Sequence, residues 1–148
     1  MNPVLTKDMT EFNHLYKETD NIYARYAASQ GISTTTMCVL YSLYTGDTLC
    51  SQTQLVEDWG FPLQTVNSCL KSMEKKGIIR LEFAAGSRKS KCILLTASGE
   101  EMCRGIIAPL VEAENHAFDK LGEKERQLLL KITKTYNQLL QNQLFPQI

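Results

Sequence analysis

The sequence carries no net charge. Its 148 residues hold 16 basic and 16 acidic side chains, so the whole-chain average points to neither nucleic acid nor a membrane surface. Histidine is almost missing. His14 and His116 stand far from any cysteine, and a structural zinc site needs Cys and His clustered at short spacing, so no metal is expected. The five cysteines (Cys38, Cys50, Cys69, Cys92 and Cys103) are odd in number and form no C-x-x-C pair. They read as reduced thiols. No apolar run approaches the roughly 18 residues of a membrane span, and Met1–Thr10 lacks the basic-then-apolar pattern of a secretory leader. A cytoplasmic protein is the expectation. There is also no Gly-rich phosphate loop, no G-x-S-x-G elbow and no placed acid pair, so neither catalysis nor a cofactor is expected.

What is present is a folded composition, with 43% hydrophobic and 22% charged residues. The length suits a single domain over 1–148 with a real core. The charges are unevenly placed. Lys71 to Lys91 holds seven basic and two acidic residues, a local +5 balanced by −5 elsewhere. Such asymmetry marks a binding face better than the isoelectric point does.

The apolar period identifies the elements. Phe12, Leu15, Tyr16, Thr19, Ile22, Tyr23 and Tyr26 recur at helical steps over about Val4–Ser29, and Gly31 ends that helix. Ser33 or Thr34 can cap a second helix with Met37, Val39, Leu40, Leu43 and Tyr44 as its apolar set. Ser51 with Gln54 fits a capping box and opens a short helix to about Asp58. After the break at Trp59-Gly60-Phe61, Pro62 suits a first helical position. The helix from Pro62 to Lys76 should bury Val66, Cys69, Leu70 and Met73. From Gly77 the period changes, and Ile78–Phe83 and Lys91–Leu95 read as a β-hairpin with a basic tip. Thr96 can cap a helix to about Phe118, kinked near Pro109, whose missing N–H frees the carbonyl of Gly105. A last helix runs from the Gly122 break to about Leu144. The expected fold is therefore mainly α with a small β-hairpin. A winged helix-turn-helix lobe occupies about 33–96, and the first and last helices (about 4–30 and 97–148) form a helical region beside it.

In a helix-turn-helix the second helix enters the DNA major groove by its N-terminal turns. With Val66, Leu70 and Met73 inward, Gln64, Thr65, Asn67, Ser68 and Lys71 face outward. Gln and Asn can pair bidentately with adenine, and Ser and Thr can bond to bases or phosphates. Lys71, Lys75 and Lys76 can meet phosphates. In the hairpin, Arg88 can reach an adjacent minor groove, with Lys89 and Lys91 against the backbone. A lysine-bearing polar face is often only a solvated face. A basic wing directly after it makes the joint pattern far more specific.

The run Gln64-Thr65-Val66-Asn67-Ser68-Cys69-Leu70-Lys71-Ser72-Met73-Glu74-Lys75-Lys76-Gly77-Ile78-Ile79 resembles the recognition-helix signature of MarR-type regulators. So does its sequel, Gly86-Ser87-Arg88-Lys89-Ser90-Lys91 followed by Leu95-Thr96-Ala97-Ser98-Gly99. The layout is similar over nearly the whole chain. The departure is at Gly86-Ser87, where the family often has an aspartate that orients the wing arginine. The resemblance implies a homodimer joined through the first and last helices and reading a pseudo-palindromic operator on double-stranded DNA. It implies in many cases repression, relieved by a small phenolic or lipophilic effector. Tyr16, Tyr23, Tyr26, Tyr41 and Tyr44 could line such a pocket or could be core and interface residues. Other members respond to cysteine oxidation; here Cys69, Cys92 and Cys103 look buried, so inert thiols are the expectation. A different class stays open: a winged-helix module that turns its basic face to an acidic protein.

Overall fold

The computed structural model describes residues 2–46, 51–83, 85–86 and 91–146. In chain order it forms α1 (Pro3–Ser29), α2 (Thr34–Thr45), α3 (Gln52–Trp59), α4 (Leu63–Lys75), β1 (Ile79–Phe83), β2 (Lys91–Leu95), α5 (Ala97–Met102), a π turn (Cys103–Ile107), α6 (Ala108–Leu121) and α7 (Glu123–Leu144). The mainly helical fold with one two-stranded hairpin is the one the periodicity predicts. Two compact units result, Met1–Ile107 and Ala108–Ile148.

Local chemistry sets the boundaries. Ser33 Oγ accepts from the N–H of Thr36 at 3.1 Å and starts α2, and Ser51 Oγ accepts from the N–H of Gln54 at 3.1 Å and starts α3. The Gln54 amide nitrogen is given to Asp58, 2.9 Å away and one turn on. Gly60 ends α3 at φ +67°, a conformation that favours glycine. Pro62 differs slightly from expectation. It holds the cap position at ψ 141°, and α4 begins one residue later. A proline there gives no capping side chain.

The core of the first unit joins α2, α3, α4 and the hairpin. Leu40, Leu55, Val66, Met73, Ile79 and Ile93 are almost wholly removed from water. The strands pair antiparallel in a register that sets Ile79 opposite Leu95 and Phe83 opposite Lys91. At the open end of this pair the Lys91 ammonium lies 5.6 Å from the Phe83 ring centre, a cation–π contact.

Thr96 is the junction. Its N–H donates to the carbonyl of Ile78 at 3.1 Å, and its hydroxyl donates to the carbonyls of Gly77 and Ile78. The same oxygen accepts from the N–H of Gly99 at 3.1 Å, capping α5. Gly99 therefore lies directly on the Ile78 carbonyl, where an added Cβ would collide with that oxygen. The expected helix from Thr96 is interrupted by the π turn at Cys103–Ile107, just ahead of Pro109. The carbonyl of Ile106 accepts from the Tyr26 hydroxyl at 2.7 Å.

In the second unit Gly122, at φ +83°, separates α6 from α7. Arg126 reaches back to α6, donating to the carbonyl of Phe118 at 3.0 Å and lying 3.8 Å from Asp119. None of the residues of α7 is buried, and Leu128, Leu129, Leu130, Ile132, Leu139, Leu140 and Leu144 are exposed.

Gly99→Ala should lower stability by about 1–3 kcal/mol, the usual cost of forcing a methyl into a filled site. Thermal unfolding checks this; Ser98→Ala, on an exposed neighbour, should leave the midpoint nearly unchanged.

Candidate nucleic-acid interface

Helix α4 divides cleanly by side. At about 100° per residue, Val66, Leu70 and Met73 share one stripe, and all three are buried. The opposite stripe carries Gln64, Ser68, Lys71 and Lys75, all exposed. Asn67 lies at one border of that stripe and is half-buried; Thr65 lies at the other and is exposed. The structure thus brings six of the expected contact residues onto one helix. Cys69 is less enclosed than the sequence suggests. It sits on the flank at intermediate exposure, 3.5 Å from the Thr36 hydroxyl and 3.7 Å from the Met73 sulfur. The flank is a border position, and the apolar count alone does not separate it from the buried stripe.

Electrostatics along α4 run in the direction anions prefer. Its first turn has no acidic residue, its last turn carries Lys75, and no side chain caps its start. The first N–H groups of a helix have no intrahelical partner, and an uncapped start leaves them available to a phosphate. In the wing, Lys91 is exposed at the start of β2. Arg80 is already paired, its Nε 2.8 Å from Glu82 Oε1. Arg88 and Lys89 lie outside the described residues.

The five tyrosines take separate roles. Tyr16 stacks at a tilt on Phe12, ring centres 6.4 Å apart, and is exposed. Tyr41 packs edge-on against Trp59 at 5.9 Å, and the Trp59 indole donates to Ser42 Oγ at 2.7 Å, holding α3 to α2. Tyr44 is exposed and Tyr23 half-buried. Tyr26 alone of the five borders one of the two clefts described in the first unit, a shallow one of about 640 Å³ shared with Ile22, Arg25, Ala28 and Ser29. The other cleft was not anticipated. It also measures about 640 Å³ and runs beside α4, between Ser68, Ser72 and Lys76 on one wall and Ser33, Thr35 and Thr36 on the other. The run Ser33-Thr34-Thr35-Thr36 is its sequence signal, a run that also starts α2.

Among the described residues no group of three or more His, Cys, Asp or Glu side chains could hold a metal ion. Among the described residues no helix is long and apolar enough to cross a membrane.

A recognition helix with a polar outer stripe, a short helix ahead of it and a hairpin behind it define a winged helix-turn-helix protein. Residues 30–90 match the model of the MarR family. Solved structures of the same fold include the MarR family regulator NMB1585 from Neisseria meningitidis, at 19% identity, 97% of each chain covered and a TM-score of 0.80. A MarR/EmrR family transcriptional regulator from Acinetobacter matches at 21% identity over 95% of this chain and 99% of that one, with a TM-score of 0.71. MepR of S. aureus, solved in complex with DNA, matches at 22% identity over 88% and 96%, with a TM-score of 0.66. No curated protein matches the sequence. Residues 30–90 thus resemble the MarR family in sequence, and the chain shares the fold of those solved regulators.

The thiols divide by environment. Burial, with the nearby Cys69 adding, pushes the Cys38 thiol from 9.0 up to about 11. Burial, with Glu100 adding, pushes Cys103 up to about 11 as well, and its sulfur points at the Leu40 carbonyl, 3.8 Å away. A thiol raised in the folded state is held protonated by folding. Its contribution to stability is complete below pH 9 and is lost as pH rises toward 11. Native protein at pH 7.5 (about neutral, well under the Cys reference range) should therefore resist a thiol-selective alkylator at Cys38 and Cys103. Mass spectrometry of the labelled peptides checks this, and rapid labelling of both at that pH would contradict it.

Proposed function

We propose that this protein is a DNA-binding transcription regulator of MarR type, cytoplasmic, acting as a homodimer on a pseudo-palindromic operator. The observation that carries the reading is the outer stripe of α4, polar and basic, inside the segment that matches the MarR family. Gln64, Thr65, Asn67 and Ser68 read base edges in the major groove; Lys71 and Lys75 meet phosphates. Arg88 enters the neighbouring minor groove, with Lys89 and Lys91 on the backbone. The lobe of about 33–96 does this work, and about 4–30 and 97–148 supply the dimer.

Dimerisation is supported by what the helices leave uncovered. In α1, Leu5, Phe12, Leu15 and Ile22 are exposed, and α7 buries nothing. Exposed apolar surface on this scale marks an interaction site in a water-soluble protein. Two copies of α4 would then address half-sites about 34 Å apart, one turn of DNA. Repression is the expected output, with release by a small aromatic or lipophilic effector; the cleft that Tyr26 borders on α1 is a candidate seat.

A gel shift on the protein's own upstream DNA tests the reading. A specific shift at moderate salt is expected; its absence, with capture of an acidic protein by the same face, would favour a protein-binding winged helix. Arg88→Ala and Lys71→Ala should each weaken binding to all sequences and lower the salt slope by about one. Asn67→Ala should instead relax sequence preference, read by selection from random DNA. For the dimer, Leu129→Glu together with Ile132→Glu should shift the protein to the monomer in sedimentation and reduce operator affinity at least tenfold.

A further inference from the structure

Cys69 of α4 does not stand alone. Its sulfur lies 3.7 Å from the thioether of Met73, one turn further along the same helix. Residues four apart share a helix face, so the contact follows from the spacing. Met102, the last residue of α5, lines the same cleft as Cys69 and Met73. Two helices thus bring one thiol and two thioethers to one place. Ile32 and Ile78 supply apolar wall beside them. Met73 is buried, whereas Cys69 and Met102 are half-buried, so the cleft opens the sulfurs to solvent. Cys38 is buried and lines no part of the cleft, which leaves Cys69 as the thiol of the lining. No His, Asp or Glu side chain lines it either. Its charged residue, Lys76, is exposed and can carry its ammonium out to water on a long apolar stem.

We infer that Cys69, Met73 and Met102 form a binding site for a soft monovalent metal ion, copper(I). Ligand chemistry selects the ion. Thiolate and thioether sulfur favour Cu(I), whereas magnesium, calcium and manganese call for oxygen. Zinc is held by Cys, His and carboxylates, and two of the three donors here are methionines. The spacing also fits. A zinc–thiolate bond is about 2.3 Å long, and a metal at that distance from both sulfurs would span their 3.7 Å separation at a near-tetrahedral angle. Binding involves no oxidation or reduction. Cys69 releases its thiol proton to solvent as the copper–sulfur bond forms, each thioether donates a lone pair, and copper stays Cu(I).

The test uses the full chain, reduced and kept free of oxygen, titrated with Cu(I) in competition with a chromophoric Cu(I) chelator. Capture of a single equivalent is expected, and capture of none would overturn the inference. Losing even an outer partner of a metal ligand costs about 10–100-fold in affinity, so losing a ligand should cost at least that. Cys69→Ser should therefore weaken binding by that factor, as should Met73→Leu with Met102→Leu, a pair of changes that keeps side-chain volume. Unchanged affinity in the serine variant would put the copper on another thiol. Unchanged affinity in the leucine variant would reduce the site to one thiol. Either result would overturn the assignment. Circular dichroism checks that the leucine variant is folded. A second readout needs no variant: with selenomethionine in place of methionine, X-ray absorption at the copper edge should show copper–selenium scattering. A shell without selenium would overturn the site. None of these outcomes bears on the DNA-binding reading, which stands on the outer stripe of α4.

Discussion

The fold depends on one crowded point, where the Thr96 hydroxyl meets the carbonyls of Gly77 and Ile78 and Gly99 lies against the latter. Each of these carbonyls closes something. Gly77 ends the recognition helix, and Ile78 precedes the first strand. Thr96 follows the second strand and starts α5. One side chain thus ties the end of α4, both ends of the hairpin and the start of the next helix within a few ångströms. The angle at which the hairpin leaves α4 is set there. A threonine suits the task because its hydroxyl donates and accepts at once. Only glycine permits the close approach that completes it.

Much of this was legible in the chain. Caps at Ser33, Ser51 and Thr96 announce their helices because a short hydroxyl side chain before an apolar period has one dominant use. The buried stripe of α4 followed from Val66, Leu70 and Met73 because three residues at helical spacing fix a face. What did not follow came from tertiary packing. The flank position of Cys69 depends on how near α2 approaches, which periodicity does not encode. The π turn ahead of Pro109 is a local winding that helical periodicity does not announce. The tyrosines share a composition and not a place: Tyr41 belongs to Trp59, and Tyr26 to the carbonyl of Ile106. The collision that Gly99 avoids is with a backbone atom twenty-one residues away in sequence, invisible until the hairpin has closed.

The candidate interface was legible in outline and hidden in detail for the same reason. The outer stripe of α4 lies in a single periodic segment, so Gln64, Ser68 and Lys71 can be aligned without a structure. The cleft beside α4 is assembled from segments far apart in sequence. Thr35 and Ser72 become neighbours only when α2 packs on α4, and neither belongs to any motif. The local excess of positive charge between Lys71 and Lys91 marks the general region.

Helix α7 has a consequence for how much of this protein exists in working form. A helix that buries none of its own residues draws little stability from its own chain. If a second copy covers it, folding becomes a second-order process, and the folded fraction rises with the total amount of chain. Below a threshold of synthesis the cell would hold mostly loose chains exposed to proteolysis. Above it, the active pool would grow faster than the rate of production. The uncovered leucines would then act as a concentration gauge, built into the chain before any effector or operator is involved.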